Sequence, residues 1–273
     1  LKDEMPRETA LQTSYHDFCQ MNNVEISIFP DKQSVGTAVA LFIIERLKTH
    51  DTKRRFSIAL SGGSTPIAMY QALQNISDVA ELIRSKAEFY FSDERAVGGN
   101  DSNSNYKTAK DYLFKPLGIP EGIIHRVKGD AADLDLEAKR YAALIRENHA
   151  IAPDSVPSVD LTLLGMGDDG HTASLFPDYD FESPENEIIV APWVTSKNSQ
   201  RVSFSLPLIN ASKCVLLLVT GKDKANIVKA VFDEKDDARR FPVSRVNARR
   251  VVWMLDSAAA SLLNQSQRGS TEC

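Results

Sequence analysis

Apolar and polar positions along this chain alternate between two rhythms. Residues 24–29 set Val24, Ile26 and Ile28 against Glu25 and Ser27, the period of a half-covered strand. Asp31 then stands where a helix cap belongs. Val35, Val39, Phe42 and Ile43 recur at helical spacing and predict a helix to about residue 50. Apolar runs at 56–60, 87–92, 159–164, 214–220 and 251–255 predict strands, and 214–220 is apolar enough to be covered on both faces. Residues 187–194 and 201–206 read as further strands. Helical patterns fall between them at 67–73, 106–114, 136–148, 225–232 and 258–263; Tyr141, Leu144 and Ile145 share one face of the 136–148 segment. Strand, turn and helix repeat, which predicts an α/β fold with a mostly parallel sheet. Ligands of such sheets sit at the carboxyl ends of the strands, so the loops that follow strands are the ones to read for chemistry.

Composition narrows the class. The chain has 273 residues, 42% hydrophobic and 25% charged, as in an ordinary globular protein. Lysines and arginines number 32 against 37 aspartates and glutamates, a formal charge of −5. That balance speaks against a broad nucleic-acid or membrane-surface partner, which needs a basic footprint. It leaves room for a small anion held by a local cluster of donors. The longest apolar runs, 38–44 and 214–219, fall far short of the ~20 residues that span a bilayer. Cys19, Cys214 and Cys273 are odd in number and widely spaced, so neither a zinc site nor a disulfide framework is expected, and a reducing compartment is the default. Residues 1–23 read as a loose arm and 266–273 as a tail around a domain at 24–265.

Three loops carry candidate chemistry. Ser61-Gly62-Gly63-Ser64-Thr65-Pro66 follows a strand and opens a helix. Paired glycines let backbone N–H groups converge on an anion, Ser64 and Thr65 add hydroxyls, and the helix N-terminus adds positive potential. The loop lacks the lysine of a Walker loop and the glycine spacing of a dinucleotide fold; a tight structural turn has the same look. The second loop is Ser92-Asp93-Glu94-Arg95, followed by an Asn/Ser-rich stretch to Tyr106. Arg95 suits a bidentate pair with phosphate, and Asp93 suits sugar hydroxyls or loop backbone, although charged loop residues are mostly just solvated. The third runs from Gly165 to Pro177 and presents Asp168, Asp169 and His171 after a buried strand. A histidine near neutral pH suits general-base work on water, and an aspartate two residues before it can orient the ring. As a metal set these three are weak, because no second His or Cys lies at ligand spacing. Lys224, in Thr220-Gly221-Lys222-Asp223-Lys224-Ala225, and Arg201, at the start of a strand, are further cations able to reach the same ligand.

Taken together these motifs resemble a known family. Ser61–Pro66, Ser92–Arg95 with Asp101 and Ser104-Asn105, and Gly-Met-Gly-Asp-Asp-Gly-His-Thr-Ala-Ser-Leu-Phe-Pro at 165–177 occur in order. With Arg201-Val-Ser-Phe-Ser-Leu-Pro207 and Thr220-Gly-x-x-Lys-Ala225, they resemble the lactonases of the glucosamine-6-phosphate isomerase/6-phosphogluconolactonase family over about residues 24–265. The resemblance implies a Rossmann-like three-layer α/β/α sandwich with extra strands, shared with sugar-phosphate deaminases and ribose-5-phosphate isomerase. It implies hydrolysis of 6-phospho-D-glucono-1,5-lactone without metal or cofactor, in a monomer or small homo-oligomer, by default cytoplasmic. Carried over by motif, His171 is the expected base and Asp169 its partner. Gly62, Gly63, Ser64, Thr65, Arg95 and Lys224 are the expected phosphate contacts, with Asp93 and Arg201 also at the ligand. One departure is Gly98-Gly99, where these lactonases usually have proline after the equivalent of Val97, which predicts a looser loop. Deaminases of the family resemble this chain too, but carry Asp-Glu-Tyr in place of Asp93-Glu94-Arg95 and a Glu in place of Phe176. A sugar-phosphate sensor built on the fold would need a DNA-binding module, and no spare basic segment supplies one.

Overall fold

The computed structural model describes residues 19–21, 23–50, 53–181, 186–233 and 240–267. Strand β1 (Cys19–Met21) turns back on β2 (Val24–Phe29), and helix α1 (Lys32–Thr49) follows. Next come β3 (Phe56–Leu60), α2 (Thr65–Gln74), α3 (Val79–Lys86), β4 (Ala87–Phe91) and the short β5 (Asp93–Arg95). Helix α4 (Asn105–Ala109) runs into a π-helical turn at Lys110–Phe114; α5 (Leu134–Asn148) and β6 (Leu161–Leu164) follow. The last third holds β7 (Ile189–Val190), β8 (Trp193–Val194), β9 (Ser199–Phe204), α6 (Leu206–Ala211), β10 (Val215–Val219), α7 (Ala225–Phe232) and β11 (Val251–Asp256).

Seven strands form the main sheet in the order β1-β2-β11-β10-β6-β3-β4. All its pairs are parallel except β1 with β2. Successive side chains of a strand point to opposite faces. Accordingly Val215, Leu217 and Val219 pack with α5, α6 and α7 on one side, while Leu216 and Leu218 pack with α1, α2 and α4 on the other. Both faces are covered, which is why this strand reads as apolar throughout. The three-layer sandwich is therefore the fold, and the expected extra strands form a smaller sheet, β5-β9-β7, with β8 also on β9. Asp31 caps α1 as its position predicts, accepting the Ser34 N–H at 2.8 Å. Gly36 matters in the same helix, because a Cβ there would collide with the Ala68 backbone of α2.

Several elements differ from the pattern reading. Cys19–Met21, expected in a loose arm, is an edge strand on β2. The 187–194 strand is broken into β7 and β8 around Pro192, whose missing N–H cannot join a ladder. The strand expected at 201–206 is shifted to β9, because Ser205 caps α6 and Pro207 sits in its first turn. Residues 258–262 are turns rather than a final helix: Asp256 Oδ1 takes the Ala259 N–H at 2.7 Å as a cap would, but the bonds Ser261 N–H to Ala258 O and Leu263 N–H to Ala260 O span only three residues. Helix α3 went unread in the pattern; it starts from Asp78 in the left-handed region, without a side-chain cap. The Gly98-Gly99 loop is laced by Asp101 N–H to Gly98 O and Ser104 N–H to Asp101 O bonds. Among the described residues no helix is long and apolar enough to cross a membrane.

Candidate active site

Strands β10, β6, β3 and β4 are neighbours and all end at the same edge of the sheet. The chain leaves β3 for β4 on one side and later returns to β6 on the other. This reversal is the kind of point at which open α/β sheets form ligand crevices. A cleft of about 500 Å³ lies here, lined from the loops after β3, β6 and β10 and from β5 and β9.

The loop after β3 supplies Gly62, Gly63, Ser64 and Thr65 to the cleft wall. Gly63 has φ +97, a conformation costly for any residue with a Cβ. A Cβ on Gly62 would overlap the Asn105 side-chain amide. No backbone hydrogen bond among the described residues occupies the amides of Gly62, Gly63 or Ser64. They precede α2, which has Pro66 in its first turn. The Thr65 hydroxyl lies 3.0 Å from that of Thr220, tying this loop to the end of β10.

Glu94 organises the second loop. It is 2% exposed and accepts four hydrogen bonds, from the N–H groups of Arg95, Asn105 and Tyr106 and the Ser104 hydroxyl, at 2.8–2.9 Å. Burial pushes its carboxyl up, against the pull of those donors. This fold-back puts Arg95 in the cleft wall, with its guanidinium donating to Asn103 O at 2.6 Å. Asp93 also reaches the wall, but its carboxylate is engaged by Ser174 Oγ (2.7 Å) and Asn105 Nδ2 (3.0 Å). It bridges the second and third motif loops rather than presenting an unoccupied carboxylate. Across the small sheet Arg95 pairs in register with Arg201. Arg201 lines the cleft as well; burial and then the neighbouring Arg95 charge pull its pKa down, and its Nε has no partner among the described residues.

His171 sits where the loop after β6 folds back on itself. Gly167 N–H donates to His171 O at 2.9 Å, and a Cβ on Gly167 would overlap the imidazole. Asp169 Oδ1 accepts from both His171 Nδ1 (2.6 Å) and the His171 backbone N–H (3.0 Å). Burial raises the Asp169 carboxyl, but these bonds and the imidazole beside it outweigh burial and hold it below its ordinary value. Phe176 stacks on the ring, centroids 4.1 Å apart and planes 16° from parallel. The imidazole is thus held at Nδ1 and on one face, while Nε2 has no hydrogen-bond partner among the described residues. His171 and Asp168 line the cleft; Asp169 stands behind His171 and does not. That separates the two adjacent carboxylates, one facing the cleft and the other orienting the ring.

Lys224 completes the wall, its ammonium 2.9 Å from Asp223 Oδ2. One cleft cation was not anticipated. Lys197 reaches the wall from the turn after β8, where neither glycines nor a motif mark it. The other residues missed are organisers, Glu94, Asn105 and Ser174, whose work shows only in their bonds.

Known proteins share this sequence pattern and fold. The family described as "Glucosamine-6-phosphate isomerases/6-phosphogluconolactonase" matches residues 30–253. The chain belongs to this family. It is 33% identical to a 6-phosphogluconolactonase of Homo sapiens over 87% of this chain and 93% of that one. It is 37% identical to a 6-phosphogluconolactonase of Haemophilus influenzae over 86% of this chain and 98% of that one. Among solved structures, a 6-phosphogluconolactonase from Trypanosoma cruzi superposes with a TM-score of 0.78 at 25% identity, over 92% of this chain and 100% of that one. Where the deaminase pattern of the family has a Glu, this chain stacks the Phe176 ring on its histidine, so no carboxylate stands there for a proton relay.

Proposed function

We propose that the cleft hydrolyses 6-phospho-D-glucono-1,5-lactone to 6-phospho-D-gluconate, the second step of the oxidative pentose phosphate pathway. The observation that carries this reading is the Asp169–His171 pair, with Nδ1 bonded at 2.6 Å and Nε2 unpartnered beside the cleft. With Nδ1–H donated to Asp169, Nε2 carries the lone pair that a general base needs. The 6-phosphate docks on the amides of Gly62, Gly63 and Ser64 and the hydroxyl of Thr65, between Arg95 and Lys224. Binding at this remote group holds the lactone carbonyl near His171.

His171 Nε2 removes a proton from water as its oxygen attacks C1. The resulting oxyanion faces the Arg201 guanidinium and loop N–H groups, which stabilise negative charge as it develops. Collapse breaks the bond from C1 to the ring oxygen, and the imidazolium returns its proton to that oxygen. The new carboxylic acid loses its proton to solvent. Asp169 keeps the imidazole in one tautomer and offsets the charge it gains. The chemistry needs only a small anionic substrate, and the cytoplasm is the expected compartment.

A direct assay with freshly generated lactone, corrected for spontaneous hydrolysis, tests the reading. Enzyme-dependent release of acid is expected, with no ammonia from glucosamine 6-phosphate. Ammonia release without lactone hydrolysis would overturn it in favour of a deaminase.

A further inference from the structure

Asp256 ends β11 outside the cleft wall, and its carboxylate bonds a peptide close to two residues inside it. The side chain is 7% exposed, and both carboxylate oxygens accept the Gly221 N–H, at 3.1 and 3.0 Å. Oδ1 also accepts the Ala259 N–H at 2.7 Å. Gly221 follows the end of β10 by two residues, so no sheet ladder holds its peptide. Its φ is +105, and a Cβ there would press on Asp223.

Two short paths lead from this peptide to the cleft. Gly221 O accepts the Lys224 N–H at 3.1 Å, and Asp223 holds the Lys224 ammonium at 2.9 Å. On the other side, Thr220 Oγ1 meets Thr65 Oγ1 at 3.0 Å, at the first residue of α2. A charged acceptor makes bonds roughly twice as strong as a neutral one, which suits a peptide outside the sheet ladder. We propose that Asp256 is a positioning residue for anion binding: it fixes the Thr220–Gly221 peptide so that the Lys224 ammonium and the Thr65 hydroxyl both face the substrate's phosphate. The proposal rests on the phosphate reading given above. It predicts that Asp256 acts on binding and not on the chemical step, because neither path reaches His171.

The test uses the full chain, lactone kinetics and calorimetric titration with inorganic phosphate. Asp256→Ala is expected to raise KM about tenfold and weaken phosphate binding by a similar factor, with kcat within about twofold of the parent. Asp256→Asn keeps one oxygen able to accept from Gly221 and Ala259, so it holds KM within about threefold. In a Lys224→Ala background, removal of Asp256 costs clearly less than in the parent, about threefold, because one of the two groups it positions is gone and only the Thr65 path remains. If Asp256→Ala does not fold, Asp256→Asn in both backgrounds reads the same coupling. Fully additive losses, or a fall in kcat with KM unchanged, overturn the role of Asp256. A parent protein that neither binds phosphate nor hydrolyses lactone overturns the underlying site reading instead. A parent that does both, with a folded Asp256→Ala indistinguishable from it, overturns only the positioning.

Discussion

The two ends of the main sheet handle charge in opposite ways. At the amino ends of β3 and β6, Asp160 is 3% exposed and well answered. Arg54 reaches it at 2.7 Å, Lys213 at 2.8 Å, and Ser57 donates from its N–H and its hydroxyl at 2.9 Å. Burial raises this carboxyl, but the Lys213, Ser57 and Arg54 donors prevail and hold it below its ordinary value. At the carboxyl ends, Arg95 and Arg201 lie side by side, Lys197 joins them, and the Arg201 Nε goes without a partner. One end closes its electrostatics within the chain. The other gathers Arg95, Arg201, Lys197 and Lys224 around one cleft and leaves part of that charge without an internal bond, inside a protein of formal charge −5. A polar group answered internally reports on stability, whereas one left over reports on ligand.

That contrast breaks or sharpens with single substitutions. The largest effect is expected at His171. His171→Ala should lower kcat by about 10²–10⁴-fold with an unchanged melting curve, measured with background-corrected lactone kinetics and circular dichroism. Near-parent kcat in a folded variant would remove His171 from the chemistry. Next comes the closed end. Asp160→Asn should cost about 3 kcal/mol in urea unfolding, at the low end for a broken buried pair because Lys213 is half exposed, with kcat/KM unchanged. The Asp160 pKa is depressed in the folded protein, so its contribution is complete above the ordinary value of 3.8 and fades as pH falls through the lower folded value. Stabilities of parent and variant should therefore converge in acid; a gap that widens there contradicts the pairing. The smallest effect belongs to the open end. Arg95→Ala should raise KM by about 10–30-fold with kcat nearly intact, and an unchanged KM takes Arg95 out of the phosphate site.

The open end was far more legible in the sequence than the closed one. Glycines at 62, 63 and 167 and the prolines at 66 and 177 stand at fixed places around strand ends, and such turns leave local marks. Hydrophobic period located β3, β4, β6, β10 and β11 for the same reason. What local pattern cannot carry is pairing across the chain. Asp160 and Ser57 are far apart in sequence, as are Asp256 and Gly221, and nothing beside either aspartate announces its partner. Asp93 reaches the cleft where the pattern of its loop placed it, but nothing beside it announces that its oxygens are bonded by Ser174 and Asn105. The 258–263 segment has helix-forming alanines and Asp256 meets it with a cap-like bond to the Ala259 N–H, yet the bonds that follow reach back only three residues and the segment settles into turns.

Strand β11 is made last and lies between β2, near the start of the chain, and β10. Until it arrives, β2 has only the short β1 as a sheet neighbour, and nothing joins these two strands to the rest of the sheet. During synthesis the segment from β3 to β10 can pair progressively, while β2 must wait for residues 251–256 to leave the ribosome. Closing so long a loop carries its entropic cost before its contacts form, which makes this insertion the expected slow step of folding. A chain truncated before residue 251 would still hold every cleft residue named above, yet would leave one flank of β10 open and the peptide before Lys224 without its clamp.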